Sequence, residues 1–330
     1  MTSCVRAAAV AATLLWAFDA GMAQTAQVPN LGFVIDRAHQ GLHTVLGVPG
    51  AAVVAPANET DGVGIPLAVS SHGGYAILLA GDDATPAVWQ PQAPLRRLPG
   101  LSGAPDRIAL SPQGKAAALY YRGEGRIVTF AGLPGAPGIA ARVDWKLPQD
   151  GTAPFAVSDD GRLVLAADSQ LLRGGGRSLS WVVVLGSGGE VARLPLAGPA
   201  TAAAFASNSA DALIATASEA FLVRNAAASG SVTPIRAGGL DAISAAALSP
   251  DGNQVLLASS HSARVAIVRL DASSPPVILN CDCAVSELDR INDTAYRLTP
   301  YSGGVAWILD ASNSPRILSV PAAPAPGNQP

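Results

Sequence analysis

The sequence predicts an all-β protein, a β-propeller of seven four-stranded blades. Three observations lead to this prediction: a turn motif that recurs along the chain, short apolar segments on both sides of each turn, and no segment beyond residue 23 that keeps a helical period. A lone four-stranded sheet built from such apolar segments would expose its faces to water. Packing of successive sheets around a common axis buries these faces.

The recurring motif is a serine followed by turn-forming residues between two apolar segments. In its clearest copy, Ser249-Pro-Asp-Gly252, proline fixes φ, aspartate caps the turn and glycine accepts a positive φ. The six copies centre on positions 70, 111, 158, 207, 249 and about 292. Their mean spacing of about 44 residues is typical of the blades of a propeller.

The number of blades follows from the residues that lie outside these repeats. Six units span about residues 62–320, and apolar segments at 32–36 and 43–46 precede them. We interpret these segments as two or three strands of a further, partly formed blade, with 48–52 as its connection. The sequence therefore favours seven blades, and six blades plus an extra N-terminal hairpin is the alternative.

Both ends of the chain are predicted to lie outside the propeller. Arg6, an apolar segment at 7–18 and the small residues Gly21 and Ala23 match a secretory signal peptide cleaved after residue 23. The apolar segment is too short to cross a membrane as a helix. We expect a periplasmic or extracellular protein with no membrane span after cleavage, divided into a signal peptide at 1–23, a linker at 24–31, the propeller at 32–320 and a disordered proline-rich tail at 321–330.

The composition excludes two classes of protein. The 330 residues carry a formal net charge of −3, with 14% charged and 49% hydrophobic residues. This is too apolar for a disordered chain. It also lacks the basic excess with which proteins displace counterions from nucleic acids. No nucleic-acid partner is therefore expected.

The sequence contains no motif for a serine nucleophile, a zinc protease or a phosphate-binding loop. The acidic pair Asp159-Asp160 belongs to a repeat turn and is explained by turn capping. Asp82-Asp83 supplies too few oxygen ligands to hold calcium by itself. We predict no catalytic, cofactor-binding or metal-binding residues and no cofactor.

Cys281 and Cys283 are the only cysteines beyond the predicted signal peptide. An oxidising compartment favours their pairing, and we interpret them as a candidate disulfide. A soft-metal site and a redox-active pair are the alternatives.

The Ser249-Pro-Asp-Gly252 turn, together with apolar segments that end in aspartate at 33–36 and 307–310, resembles bacterial exported propellers of the YVTN and TolB-like type. The resemblance covers nearly the whole mature chain and implies a fold rather than an activity. We expect a non-catalytic module that binds or scaffolds another exported protein or a small ligand through its end-face loops. The alternative is a propeller hydrolase or lactonase-like enzyme with a metal at the channel mouth.

Overall fold

The computed structural model of the protein describes residues 28–70, 72–148, 153–171, 178–228, 230–271 and 274–324. All regular secondary structure in these ranges is β-strand, arranged in seven antiparallel sheets. The predicted seven-bladed propeller is confirmed, and the six-bladed alternative is wrong. Within the same ranges, no helix has the length and apolarity needed to cross a membrane.

In each blade the strands follow one another in chain order from the axis outwards, and the first blade has three strands in the described part of the chain. Blade 1 contains β1 (Asn30–Asp36), β2 (Gly41–Val48) and β3 (Ala51–Val54). Blade 2 contains β4 (Ile65–Ser70), β5 (Tyr75–Ala80), β6 (Thr85–Trp89) and β7 (Arg96–Arg97). Blade 3 contains β8 (Arg107–Leu110), β9 (Ala116–Tyr121), β10 (Arg126–Ala131) and β11 (Gly138–Asp144).

The remaining four blades each have four strands. Blade 4 contains β12 (Phe155–Val157), β13 (Val164–Leu171), β14 (Ser178–Gly186) and β15 (Gly189–Leu196). Blade 5 contains β16 (Ala200–Phe205), β17 (Ala212–Thr216), β18 (Ala220–Val223) and β19 (Val232–Ile235). Blade 6 contains β20 (Ile243–Leu248), β21 (Gln254–Ser259), β22 (Arg264–Arg269) and β23 (Val277–Asn280). Blade 7 contains β24 (Asp289–Arg290), β25 (Ala295–Arg297), β26 (Val305–Asp310) and β27 (Arg316–Pro321).

The repeated turn links the first and second strands of blades 2–7, as the sequence predicts. In blade 6 the Ser249 hydroxyl donates to Asp251 at 2.5 Å and accepts from the Gln254 amide at 2.8 Å. The Ser249 hydrogen bond holds the pKa of the Asp251 carboxyl below its usual value. Gly252 has a φ of 71°, which a side chain would strain. The motif therefore forms a turn through its own local chemistry.

Apolar clusters fill the interfaces between blades. The described residues form seven such clusters, one for each pair of neighbouring blades around the ring. All six residues of β9 are buried, because a middle strand packs against a neighbouring blade on both faces. This two-sided burial explains the long Ala-, Val- and Leu-rich segments of the sequence.

Blades 1 and 7 close the ring by packing rather than by sharing a sheet. Isolated parallel bridges join Asp36 to Tyr301 and Val54 to Ala322, and the Ala323 amide donates to the Val54 carbonyl at 2.8 Å. A cluster of nine buried apolar residues fills this interface: Val34, Val45, Val54, Ile291, Ala295, Tyr301, Ala306, Ile308 and Val320.

These contacts correct three boundaries taken from the sequence. The propeller begins at Asn30 and pairs as far as Ala323, beyond the predicted limits of 32 and 320. Val48 ends β2, residues 49–50 form a tight turn and Ala51 begins β3, so this segment is not a connection between blades. Gly47 permits this turn, because a Cβ atom there would lie 2.2 Å from the Ala51 carbonyl oxygen. The predicted signal peptide and residues 325–330 of the predicted tail lie outside the described residues.

Candidate functional site

A cavity of about 700 Å³ runs along the axis of the propeller. Its walls are mainly the first strands of blades 2–7, with Ile35 of blade 1, and most of the residues that line it are apolar in type, such as Leu67, Ala109, Ala156, Ala204 and Ala247. Polar atoms nevertheless make up about half of the exposed lining. The volume falls within the range of small-molecule binding sites, which are mostly apolar with a few placed polar groups. The axial cavity is therefore the candidate functional site.

The turn of blade 3, residues 111–115, lies across one end of this cavity, and we call it the cap. The Pro112 carbonyl accepts a hydrogen bond at 3.0 Å from Arg290 of blade 7, which is not a neighbour of blade 3. The Gln113 amide donates to Asp159 of blade 4 at 2.7 Å. Lys115 Nζ donates to Asn208 of blade 5 at 3.2 Å. A turn that contacts blades 4, 5 and 7 at once must cross the axis.

Arg290 of blade 7 forms a hydrogen bond to the cap from the opposite side of the ring. Besides its bond to Pro112, its Nε donates to the Asn292 carbonyl at 3.2 Å and its Nη2 to Asp293 at 3.0 Å. The guanidinium thus has acceptors on three nitrogens, in a residue that is only partly exposed to solvent. Its role in the described structure is to join the turns of blades 7 and 3.

The opposite end of the ring, where each blade connects to the next, is the entrance of the cavity. Asp106 and Arg107 lie there at the start of β8, and Phe155 lies at the start of β12. The Arg107 guanidinium is 5.7 Å from the centre of the Phe155 ring, a cation–π distance. Asp106 accepts the Arg122 amide at 2.7 Å, and its other oxygen lies 3.8 Å from the Arg122 guanidinium.

A buried arginine organises the blade 7 side of the entrance. The Arg297 side chain is 4% exposed; its Nη2 lies 2.7 Å from Glu287 and also forms an ion pair with Asp289. Burial and the neighbouring Asp289 raise the pKa of the Glu287 carboxyl, and Arg297 and Arg37 oppose that rise without cancelling it. Arg37 Nη2 is 3.8 Å from the other Glu287 oxygen. No sequence motif indicated this network, because its members come from separate elements.

The acidic pairs singled out in the sequence have different roles. Asp160 caps its own turn, accepting from the Ser158 hydroxyl at 2.6 Å and the Arg162 amide at 3.0 Å. Asp159 is buried and bonds outside its own blade, to the amides of Gln113 and Asn208, each at 2.7 Å. Turn capping therefore explains only the second residue of this pair.

Asp82-Asp83 and the four histidines occupy separate turns and strands. Asp83 pairs with Arg97 at 2.7 Å. The Nδ1 atoms of three histidines have acceptors within 3.0 Å, and that of the fourth, His72, lies 3.6 Å from Asp293. Within the described ranges, no three His, Cys, Asp or Glu side chains come close enough to hold a metal ion together.

Cys281 and Cys283 are joined by an S–S bond of 1.92 Å. They lie on the connection from blade 6 to blade 7, and Cys283 precedes Glu287 by four residues. Cys281 is buried, and its amide donates to the Ala263 carbonyl at 2.8 Å. The disulfide constrains the backbone of the segment that leads to the entrance of the cavity.

Solved structures with the same fold include a putative 6-phosphogluconolactonase from Bacteroides fragilis. It is 15% identical with a TM-score of 0.57, over 91% of this chain and 96% of that one. A protein from Lactobacillus plantarum is 14% identical with a TM-score of 0.54, over 88% and 95% of the two chains. No family model matches this chain, and neither does any curated protein. Similarity at this identity establishes the fold, which hosts many unrelated activities.

Proposed function

We propose that the protein is an exported, non-catalytic binding module that holds a small ligand in its axial cavity. The observation that carries this proposal is the cavity itself, about 700 Å³ in volume, lined by apolar side chains and polar groups together and crossed at one end by the cap. Pockets of this kind bury most of the surface of a small ligand. The ligand would enter at the charged end, where the side chains of Arg37 and Asp289 are 63% and 59% exposed.

Export and family are parts of the same proposal. The signal-peptide pattern at 1–23 supports secretion to the periplasm or the cell surface. The Ser-Pro-Asp-Gly turn supports a place among the propellers of the YVTN and TolB-like type. A partner protein would then meet the loops around the entrance, and the ligand would lie behind them.

Filling the cavity tests the proposal. We expect N-phenyl-1-naphthylamine, a neutral probe that fluoresces in apolar sites, to bind the wild-type protein at one site. The variant Ala247→Trp places an indole in the cavity wall and should weaken this binding by about tenfold or more, because the probe and the indole need the same space. The measurement is a fluorescence titration.

The matched control is Ala228→Trp, which adds the same side chain at an exposed turn of blade 5. It should bind the probe as the wild type does. Equal binding by Ala247→Trp and the wild type, with both proteins folded by circular dichroism, would contradict a ligand site in the cavity.

Lactone hydrolysis is the second candidate function. The observation in its favour is Glu287, a carboxyl with a raised pKa beside Asp289 at the cavity entrance, as expected of an acid or base catalyst. Hydrolysis of δ-gluconolactone by the wild-type protein, lost in Glu287→Gln, would favour this candidate over a binding module.

A further inference from the structure

Backbone groups contribute to the polar half of the cavity lining. The first strands of blades 3–6, which are β8, β12, β16 and β20, each form the axial edge of their sheet in the described part of the chain. An edge strand directs the backbone N–H and C=O groups of every second residue away from its partner strand. On these four strands such groups face the axial cavity.

Hydrogen bonds at the cap end of each strand identify the residues concerned. The Ser111 amide donates to the Ala116 carbonyl of the second strand, and the amides of Ser158, Ala206 and Ser249 make the equivalent bonds, at 2.8–3.0 Å. Hydrogen-bonded and non-hydrogen-bonded pairs alternate along an antiparallel ladder. The residue three positions before each of these amides therefore points its backbone groups towards the axis. These residues, which we call the inner ring, are Ile108, Phe155, Ala203 and Ala246.

The inner ring is uncharged and offers donors and acceptors in equal number. All four of its residues line the cavity and are partly exposed. A hydroxyl group can both donate and accept, so it can bond to either kind of group. A carboxylate only accepts and an ammonium group only donates. The inner ring is therefore best matched by a ligand that carries several hydroxyl groups.

The ion pairs around the cavity do not favour a ligand of either charge. Glu287 lies between Arg37 and Arg297, at 3.8 and 2.7 Å, and Asp289 also pairs with Arg297. Two arginines thus face two carboxylates. Two further charged residues of the lining have partners of opposite charge outside it: Arg290 with Asp293, and Asp106 with Arg122.

We propose that the cavity binds a neutral polyhydroxylated ligand, a saccharide in chemical class. Its hydroxyl groups would bond to the backbone of the inner ring, and its C–H faces would contact the small side chains of the wall, such as Ala156 and Ala204. This inference rests on the proposed function and adds the chemical class of the ligand. The inward backbone groups carry it, and the paired charges agree with it.

Titration calorimetry with sugars of equal size and different charge tests the class. The neutral probes are maltose, D-glucose and myo-inositol, and lactobionate is a disaccharide derivative that carries a carboxylate. We expect maltose to bind the wild-type protein at one site with a dissociation constant of about 1 mM or tighter. Lactobionate should bind no more tightly than maltose, even at low salt. Ala247→Trp should block maltose, because the indole occupies the same space.

Proline substitutions test the inner ring directly. Ala203→Pro and Ala246→Pro each remove one N–H group that points to the axis, without removing a ladder hydrogen bond. Each should weaken maltose binding by about fivefold, as expected for the loss of one hydrogen bond, and leave the affinity for N-phenyl-1-naphthylamine unchanged. Circular dichroism establishes that each variant is folded.

The matched control is Val232→Pro on the outer edge of β19. The Arg224 amide donates to the Ser231 carbonyl at 2.9 Å, so the Val232 N–H points away from the sheet and from the axis. Pro234 already occupies the next outward position of this strand. Val232→Pro should bind maltose as the wild type does.

The outcomes distinguish this inference from the function on which it rests. If N-phenyl-1-naphthylamine binds in the cavity but none of the three neutral sugars binds, the cavity holds ligands and the saccharide class is wrong. The class is also wrong if lactobionate binds more tightly than maltose, or if maltose binds Ala247→Trp as well as the wild type. If neither the naphthylamine nor any sugar binds the wild type, both proposals are overturned.

Discussion

Replacing Arg297 by methionine is expected to lower the free energy of unfolding by about 3 kcal/mol at neutral pH. The substitution keeps an unbranched side chain of similar length but removes the positive charge. Glu287 is then left largely buried without its partner at 2.7 Å, and Asp289 loses an ion pair. Urea unfolding followed by circular dichroism measures the loss.

The pH dependence of this loss identifies its cause. Arg297 lowers the pKa of Glu287, so removing it raises that pKa further in the folded protein. A carboxyl whose folded pKa lies above its unfolded pKa costs stability when ionised, and the cost grows as the pH rises through that interval. The deficit of Arg297→Met should therefore be largest above neutral pH and shrink towards pH 4.

The control for charge removal is Arg162→Met. The Arg162 side chain is 81% exposed and lies 4.0 Å from Asp160, so its loss should cost less than about 1 kcal/mol. If Arg297→Met costs no more than this control, or if its cost does not change with pH, the buried network does not stabilise the entrance.

Replacing Asp159 by alanine is expected to cost about 2 kcal/mol of unfolding free energy. Asp159 is 9% exposed, and its carboxylate accepts hydrogen bonds from the amides of Gln113 and Asn208, each at 2.7 Å, and so joins three blades. Alanine leaves both amides without this acceptor. Hydrogen exchange should accelerate at the cap and at the turn that contains Asn208, in addition to the loss seen in urea unfolding.

Two variants make this prediction sharper. Asp159→Asn retains one acceptor oxygen and should fall between the alanine variant and the wild type. Asp160→Ala removes the adjacent carboxylate, which bonds only within its own turn, and should cost less than about 1 kcal/mol. Equal losses for Asp159→Ala and Asp160→Ala would mean that bonds between blades add nothing to local capping.

Local chemistry explains why most of the fold was predictable. A turn such as Ser249-Pro-Asp-Gly252 is specified by its own four residues, so each copy marks the end of a first strand wherever it occurs. The third strand of blade 1 was left open by the sequence, because no copy of the repeated turn marks it. It has only four residues after a Pro-Gly turn, and its contact with the C-terminal segment depends on chain distant in sequence.

The candidate site was largely beyond sequence reasoning, because distant residues form it. Arg290 and Pro112 are 178 positions apart, and no local pattern connects them. Asp159 and Asp160 look equivalent in the sequence, yet only the ring places the first beside two other blades. The cavity lining of small apolar residues was visible as strands, but the position of its arginines at the entrance was not.

The cap affects how the propeller unfolds. In repeat proteins each unit usually contacts only its neighbours, so units at one end can unfold while the others persist. Here the hydrogen bond from Arg290 to Pro112 joins blades 7 and 3 on opposite sides of the ring, and Asp159 joins the consecutive blades 3, 4 and 5. Opening the seam between blades 1 and 7 leaves all of these bonds in place, so the ring gains little chain entropy by opening there and tends to unfold cooperatively.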